Sequence, residues 1–207
     1  MIASRGSESH TGTALPDLGC SFFAFTMPPA PPAQPPVVVN AEAGPTRDPW
    51  VEITRLTYGG DRSYAWTVRE QVILSAPETR GKMEDRLLAA LQLPGCTEAG
   101  RAALCELIAL IGTARSVPAL AALLAQPASF ESARFALEAL PGPEASTALR
   151  EALPRVTGRA KAGLIGGLAR RRDALAQPAL TALRDNASEA AEVREAATRA
   201  LDHLAHA

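Results

Sequence analysis

Few side chains in this sequence have the types and spacing that catalysis requires. The three histidines are His10, near the start of the chain, and His203 and His206, close to its end. A Ser-His-Asp or Cys-His arrangement needs a histidine in the middle of the fold, where nucleophile and base can meet. The sequence has no histidine in that position. It also has no predicted strand followed by a glycine-rich loop that could bind phosphate. We therefore expect no catalytic residues and no enzymatic activity.

The cysteines indicate neither a metal centre nor a redox site. Cys20, Cys96 and Cys105 form no C-x-x-C pair, and no histidine lies at a zinc-ligand spacing from them. A sparse, odd-numbered set is typical of reduced thiols buried in a core. We expect no metal ion and no cofactor.

Positive charge is concentrated in one stretch of an otherwise balanced chain. The 21 Lys and Arg residues against 22 Asp and Glu leave a net charge of -1, which gives no general attraction to nucleic acid or to an anionic membrane. Between positions 150 and 172, only Glu151 opposes a basic cluster of Arg150, Arg155, Arg159, Lys161, Arg170, Arg171 and Arg172. Two interpretations stay open. The arginines at 170–172 complement a helix C-terminus and pair with Asp173, or the cluster binds an anionic partner.

Helices must position these residues, because the composition favours little else. Hydrophobic residues make up 47% of the chain and aromatic residues only 4%, so the apolar content is mostly Ala and Leu, which form helices readily. The sequence contains no run of about 18 apolar residues, which is the length a membrane-spanning helix needs. The N-terminus lacks the pattern of a signal peptide. We expect a cytoplasmic protein with no membrane partner.

The N-terminal part of the chain differs from the rest. Residues 28–36 read PPAPPAQPP, and proline fixes φ and removes the amide donor that helices and sheets need. Such a segment forms an extended, semi-rigid tether; a ligand for a proline-binding domain is the alternative. We predict a disordered Pro-rich tail over residues 1–46 and a folded helical domain over residues 47–207.

Two kinds of helix alternate along that domain. One set of apolar anchors recurs at intervals of 29, 31 and 33 residues: Ile108, Leu137, Leu168 and Leu201. A second set recurs in step, at intervals of 33, 29 and 31 residues: Leu87, Leu120, Leu149 and Leu180. Two helices per unit of about 30 residues are typical of an α-solenoid, in which antiparallel helix pairs stack because one pair cannot bury its apolar face alone. The sequence therefore predicts an all-α fold of this kind.

The last unit, ALTALRDNASEAAEVREAATRAL, resembles a HEAT repeat. The pattern of that family runs from a first helix, through an Asp in the turn, to a Val-Arg pair and an Ala-Ala step in the second helix. The matching residues are Asp185, Val193, Arg194, Ala196 and Ala197, with a spacing from Asp to Arg a few residues longer than in the family. The resemblance covers roughly residues 79–207 and implies a bacterial HEAT-like α-solenoid. Proteins of this family mostly act as scaffolds.

We expect a non-enzymatic scaffold that binds another protein, one with an acidic surface, through the solenoid surface. The predicted contact residues form a mixed-charge ridge: Arg134, Glu138, Lys161, Arg170, Arg171, Arg172 and Arg199. Glu138 is expected to be exposed although it neighbours the buried position Leu137. No element is shaped to read bases in a groove, so sequence-specific nucleic-acid recognition is not expected.

The alternative is a HEAT-like enzyme or nucleic-acid-acting module, similar to the HEAT-like DNA glycosylases or the phycobilin lyases. Such a protein needs a carboxylate and aromatic side chains that converge on the concave face. The four Trp and Tyr residues lie before the regular repeats, which counts against a stacking platform there: Trp50, Tyr58, Tyr64 and Trp66.

Three glycines occur within a predicted helix, in the segment AGLIGGLA: Gly163, Gly166 and Gly167. Each glycine costs up to about 1 kcal/mol relative to alanine in a helix interior, so something must compensate. Close approach of a neighbouring helix is one explanation, and room for the backbone of a ligand is the other.

Overall fold

The computed structural model describes residues 47–206, and the regular structure in that range is all helical, as the composition predicts. Its α-helices are α1 (Pro49–Glu52), α2 (Ser63–Ile73), α3 (Arg80–Leu91), α4 (Glu98–Ile111), α5 (Val117–Leu123), α6 (Phe130–Ala139), α7 (Pro143–Ala152), α8 (Gly158–Arg170), α9 (Gln177–Asp185) and α10 (Ala191–Ala205). None of these helices has the length and apolar character needed to cross a membrane. The predicted Pro-rich tail, with His10 and Cys20, lies outside the described residues.

The first helix is held in place by Trp50. Its backbone N–H donates to the carboxylate of the N-cap residue Asp48 at 2.9 Å. The buried indole donates its N–H to Gln71 of α2 at 2.7 Å, and the guanidinium of Arg86 in α3 lies 4.1 Å from the ring centroid. These contacts connect α1 to the two helices that follow it.

Short 3₁₀ turns lead into three of the helices. Pro77–Thr79 precedes α3, Ala114–Ser116 precedes α5 and Ala174–Ala176 precedes α9. Pro118 and Pro178 lie in the first turns of α5 and α9, where an amide donor has no partner within the helix. Each of these prolines begins a Pro-Ala-Leu segment, at residues 118–120 and 178–180, which recurs because it begins the same kind of helix each time.

From α4 onward, every second helix packs against the next one of the same set. α4 packs against α3 and α6, α6 against α8, and α8 against α10. The intervening helices pack beside them, since α5 contacts α6 and α7, α7 contacts α8, and α9 contacts α10. Each of the helices α4, α6, α8 and α10 thus packs on an adjacent α-helix in the chain and on the next α-helix but one.

The two sets of apolar anchors lie at the centre of the core. Seven of the eight are 0% exposed: Leu87, Ile108, Leu120, Leu137, Leu149, Leu168 and Leu180. Leu201, near the end of α10, is partly buried against the same core. The helix phase inferred from the apolar stripes is therefore confirmed.

Both cysteines in the described range are buried free thiols, as predicted. Burial raises the pKa of Cys105 to about 12, and burial also raises the pKa of Cys96. The thiolate is the reactive form of cysteine, and it is scarce at neutral pH when the pKa is raised. These two side chains therefore contribute to packing.

Candidate functional site

The basic cluster does not form one free surface. Arg150 pairs with the buried carboxylate of Asp173 and donates to the Thr147 hydroxyl at 2.9 Å. Lys161 is only 9% exposed, and its ammonium lies 2.9 Å from the carboxylate of Glu189. Both cations are neutralised within the fold, so neither is available to a partner in the way that the sequence suggested.

Arg171 stabilises the C-terminal end of α6. Its guanidinium donates at 2.5 to 3.0 Å to four backbone carbonyls, those of Leu137, Glu138, Leu140 and Gly142. It also donates to the Ser146 hydroxyl at 2.8 Å. The last carbonyls of a helix have no partner within it, so a cation there is favourable. These contacts favour the interpretation in which Arg171 complements a helix C-terminus. The helix concerned is the neighbouring α6, and not α8, which Arg171 follows.

Glu138 is the centre of an ion-pair network between α6 and α8. It pairs with Arg134 one turn earlier on α6, and it accepts from Arg170 of α8 at 2.6 and 2.9 Å. Arg134 also pairs with Glu131 at 2.6 Å. Only 11% of the Glu138 side chain is exposed. The expectation that Glu138 is exposed is therefore wrong, because α8 covers it.

The glycines of α8 make that cover possible. A Cβ atom at Gly167 would lie 2.5 Å from Oε1 of Glu138, and one at Gly163 would lie 3.3 Å from Nε of Arg134. Real Cβ atoms essentially never lie as close to another atom as the 2.5 Å at Gly167. Close helix approach, one of the two explanations considered for these glycines, is confirmed at Gly167.

The remaining members of the predicted ridge are exposed. The Arg170 side chain is 60% exposed although it pairs with Glu138. The Arg199 side chain is 71% exposed, and its guanidinium lies 3.7 Å from the carboxylate of Glu195, one turn away on α10. Arg172 is also exposed. The structure therefore brings Arg134, Glu138 and Arg170 together as an internal contact, with Arg172 and Arg199 outside it.

Two exposed aromatic side chains lie in a different part of the chain, one in the loop before α2 and one within α2. Tyr58 is 70% exposed and Trp66 is 66% exposed. Arg62 and Arg69 flank Trp66 at the spacings that place side chains on one helix face. We call Tyr58, Arg62, Trp66 and Arg69 the aromatic patch.

The aromatic patch exists because α2 buries only its opposite face. Val68 and Val72 are 0% exposed, and the other face of the helix is left uncovered. Asp61 accepts the backbone N–H of Ser63 at 2.8 Å and so sets where the helix begins.

Two small cavities open beside the patch, one between α2 and α4 and the other between α4 and the loop before α2. One has a volume of about 160 Å³ and includes Trp66 and Arg69, and the other, of about 70 Å³, includes Tyr58. Arg62 and Glu106 border both. Neither Arg62 nor Arg69 makes an ion pair within residues 47–206. The patch therefore offers apolar rings and free guanidinium groups together.

Sequence reasoning set the aromatic patch aside because it precedes the regular repeats. The signal was nevertheless present. The order Arg62, Trp66, Arg69 places large aromatic and cationic groups on one helix face, while the valines take the other.

Neither the histidines nor the turn at Asp185 shows a convergence of reactive groups. His203 and His206 are both exposed on the last turns of α10. Asp185 pairs with its neighbour Arg184 at 2.7 Å, and not with Arg194 as in the turn of the family. In residues 47–206 no three His, Cys, Asp or Glu side chains are arranged to hold a metal ion. Comparison of the chain with protein-family models, curated proteins and solved structures found no match.

Proposed function

We propose that this chain is a non-enzymatic scaffold that binds another protein through the aromatic patch. The observation that carries the proposal is the exposure of Trp66 and Tyr58 beside two arginines that make no ion pair with residues 47–206. Tryptophan, tyrosine and arginine are the residues most enriched among the side chains that dominate binding energy in protein interfaces. A monomeric surface has little reason to leave two large rings together in water.

The architecture that we propose for the scaffold is a HEAT-like α-solenoid. Its support is the packing of α4, α6, α8 and α10 in chain order, with α5, α7 and α9 beside them. The recurrence of 3₁₀ turns before α3, α5 and α9 supports the same repeating unit. Stacked pairs of this kind present long surfaces, which suits a binding role.

The partner that fits the patch is a protein with an acidic surface and apolar side chains for the rings to cover. Arg62 and Arg69 supply positive charge that makes no ion pair within residues 47–206, while Glu106 of α4 borders both cavities and Glu98 of α4 accepts a hydrogen bond from Tyr58 at 3.3 Å. Exposed charges of this kind act over about 10 Å at moderate ionic strength. Binding is therefore expected to weaken as salt is raised.

The proposal is tested by quantitative affinity capture from an extract of the source organism. Wild type, Trp66→Ala and Phe135→Ala are compared as baits, since Phe135 is also exposed, at 54%, but lies on α6. We expect a protein that is recovered with wild type and with Phe135→Ala and is lost with Trp66→Ala. With that protein purified, Trp66→Ala should weaken the affinity by about 30-fold, the effect of a residue worth 2 kcal/mol. Equal recovery with all three baits would contradict the proposal.

The nucleic-acid alternative uses the same patch, because bases stack on aromatic rings and arginines contact phosphates. It is distinguished by fluorescence anisotropy with a labelled single-stranded oligonucleotide. Tight binding that is lost in Trp66→Ala, with no protein captured, would replace the scaffold proposal with this one.

A further inference from the structure

A separate groove lies between the turns that connect α5 to α6 and α7 to α8. Its volume is about 550 Å³. The floor includes alanines of α5 and α7, namely Ala121, Ala148 and Ala152, and Ala125, in the turn after α5, lies at its edge. The buried ring of Phe130 lines it as well.

The groove exists because both facing helices carry small side chains at the same end. Ala148 and Ala152 are four residues apart in α7 and so lie on one helix face, while Ala121 lies in α5 and Ala125 in the turn that follows it. Leucine at those positions would fill the space between the two turns. The volume falls within the range of about 300 to 1,000 Å³ that is usual for sites of small organic ligands.

The charged side chains at the rim leave an excess of positive charge. Arg155 and Arg159 are exposed and make no ion pair or side-chain hydrogen bond within the described part of the chain. Glu131 also lines the groove, but Arg134 already neutralises it. Glu151 is the remaining carboxylate at the rim. Two guanidinium groups therefore face one unpaired carboxylate.

The backbone adds to that positive charge. α8 begins at Gly158, beside the groove, and the side chain of its N-cap residue Thr157 accepts no hydrogen bond from the first turn. The free N–H groups of a helix N-terminus carry partial positive charge.

We propose that this groove binds a small organic carboxylate with an apolar body. The alanine floor and Phe130 cover the apolar body, and Arg155 and Arg159 bind the carboxylate at the rim. Arginine is suited to the second role because its planar guanidinium donates two parallel hydrogen bonds to one carboxylate. Glu151 disfavours dianions, so the ligand carries a single negative charge. This site is distinct from the aromatic patch and does not depend on the scaffold proposal.

The test uses octanoate as the probe, with octanol as the matched ligand that lacks the charge. Both are titrated into the purified full chain by isothermal calorimetry or ligand-detected NMR. We expect octanoate to bind at least tenfold more tightly than octanol. The double variant Arg155→Gln/Arg159→Gln should lose that difference, with octanol binding unchanged. Equal affinity of wild type for the two ligands, or no octanoate binding at millimolar concentration, would overturn the proposal.

A second variant locates the site. Ala125 is exposed at the edge of the groove, so Ala125→Tyr fills the space without disturbing the core. It should weaken octanoate binding at least tenfold, while Arg199→Gln on α10 and Trp66→Ala in the aromatic patch should leave it unchanged. Octanoate binding that survives Ala125→Tyr would place the ligand elsewhere and overturn the assignment. Because Trp66→Ala tests only the scaffold proposal, failure of one proposal is distinguishable from failure of the other.

Discussion

Backbone strain at the end of α8 is confined to one residue. Arg172 has a φ of 54°, and no other residue within 47–206 apart from glycine has a positive φ. The N–H of Asp173 donates to the carbonyl of Leu168 at 3.1 Å across this position, as in a helix end closed by a left-handed residue. A side chain there is unfavourable because its Cβ crowds the following carbonyl.

Replacing Arg172 with glycine should therefore stabilise the protein. We expect Arg172→Gly to raise the free energy of unfolding by about 0.5 to 1 kcal/mol, measured by denaturant titration. Arg199→Gly is the control, since Arg199 is also exposed but lies within α10, and it should lose about 1 kcal/mol. If both variants lost stability to the same degree, the strain assigned to Arg172 would not exist.

Glu84 connects α3 to the turn before α5. It is 1% exposed and accepts hydrogen bonds from the Thr113 N–H at 2.8 Å and from the Ser116 hydroxyl at 2.6 Å. Burial by itself raises the pKa of Glu84. The hydrogen bonds from Ser116 and Thr113, with the charge of Arg115, outweigh burial and hold the pKa below its ordinary value of 4.5.

This lowered pKa makes stability depend on pH in one direction. The ionised Glu84 binds its donors better than the protonated form does, so its contribution is complete above pH 4.5 and is lost as the pH falls through the lower folded-state pKa. At pH 7, Glu84→Gln should cost about 1 to 3 kcal/mol in denaturant titrations. The difference between wild type and variant should shrink as the pH is lowered below 4.5. A difference that stays constant down to pH 3 would contradict this account.

At the residue scale, the sequence predicted burial well and charge pairing poorly. Leu137 and Leu168 are fully buried where the apolar stripes placed them, because a stripe depends only on local helix geometry. Glu138 was misjudged because Arg170 of another helix covers it, and the carbonyls that Arg171 contacts likewise belong to another helix and the turn after it. The identity of a long-range partner depends on how α6 and α8 approach each other, and no local pattern records that.

The interface between α6 and α8 gives a sharper test, at the scale of elements. Gly166 and Gly167 are adjacent in α8, but a Cβ at Gly166 would meet only Nη1 of Arg170, at an ordinary 3.5 Å, whereas one at Gly167 would strike Glu138 at 2.5 Å. Gly166→Ala should therefore gain about 0.5 to 1 kcal/mol from helix propensity. Gly167→Ala should lose about 1 to 2 kcal/mol, because Glu138 must leave its arginine partners.

A double-mutant cycle isolates the contact behind this difference. If Glu138 is the obstacle, Gly167→Ala should cost less in a Glu138→Ala background than in wild type, and the two substitutions should not be additive. Thermal unfolding of the four proteins measures the coupling. Additive effects would mean that Gly167 is needed for a reason other than the close approach of Glu138.

Among the elements, helix ends follow local sequence signals more closely than do the spaces between helices. Gly112 follows the last residue of α4, and Pro118 and Pro178 lie in the first turns of their helices, because such signals act through the local backbone. The groove over Ala125 and Ala152 could not be predicted in the same way. It is a volume left empty by two helices at once, and alanine in a sequence is equally typical of tight packing.

At the scale of the whole molecule, the proposed α-solenoid predicts that the protein unfolds in part rather than all together. In a linear stack each pair is stabilised by its own contacts and by those with its neighbours, so damage at one end stays local. Ala197 is 0% exposed in α10, which packs on α8 and α9. We expect Ala197→Asp, which buries a charge, to abolish amide protection in α9 and α10 in hydrogen-exchange mass spectrometry. Protection in α4 and α6 should persist.

The matched control places the same change on the surface of the same helix. Thr198 is exposed, so Thr198→Asp should leave exchange in α9 and α10 close to wild type. If Ala197→Asp instead removed protection from α4 through α10 together, the helices would form one cooperative core. The α-solenoid proposal would then fail, because a single core unfolds as a unit whichever end is damaged.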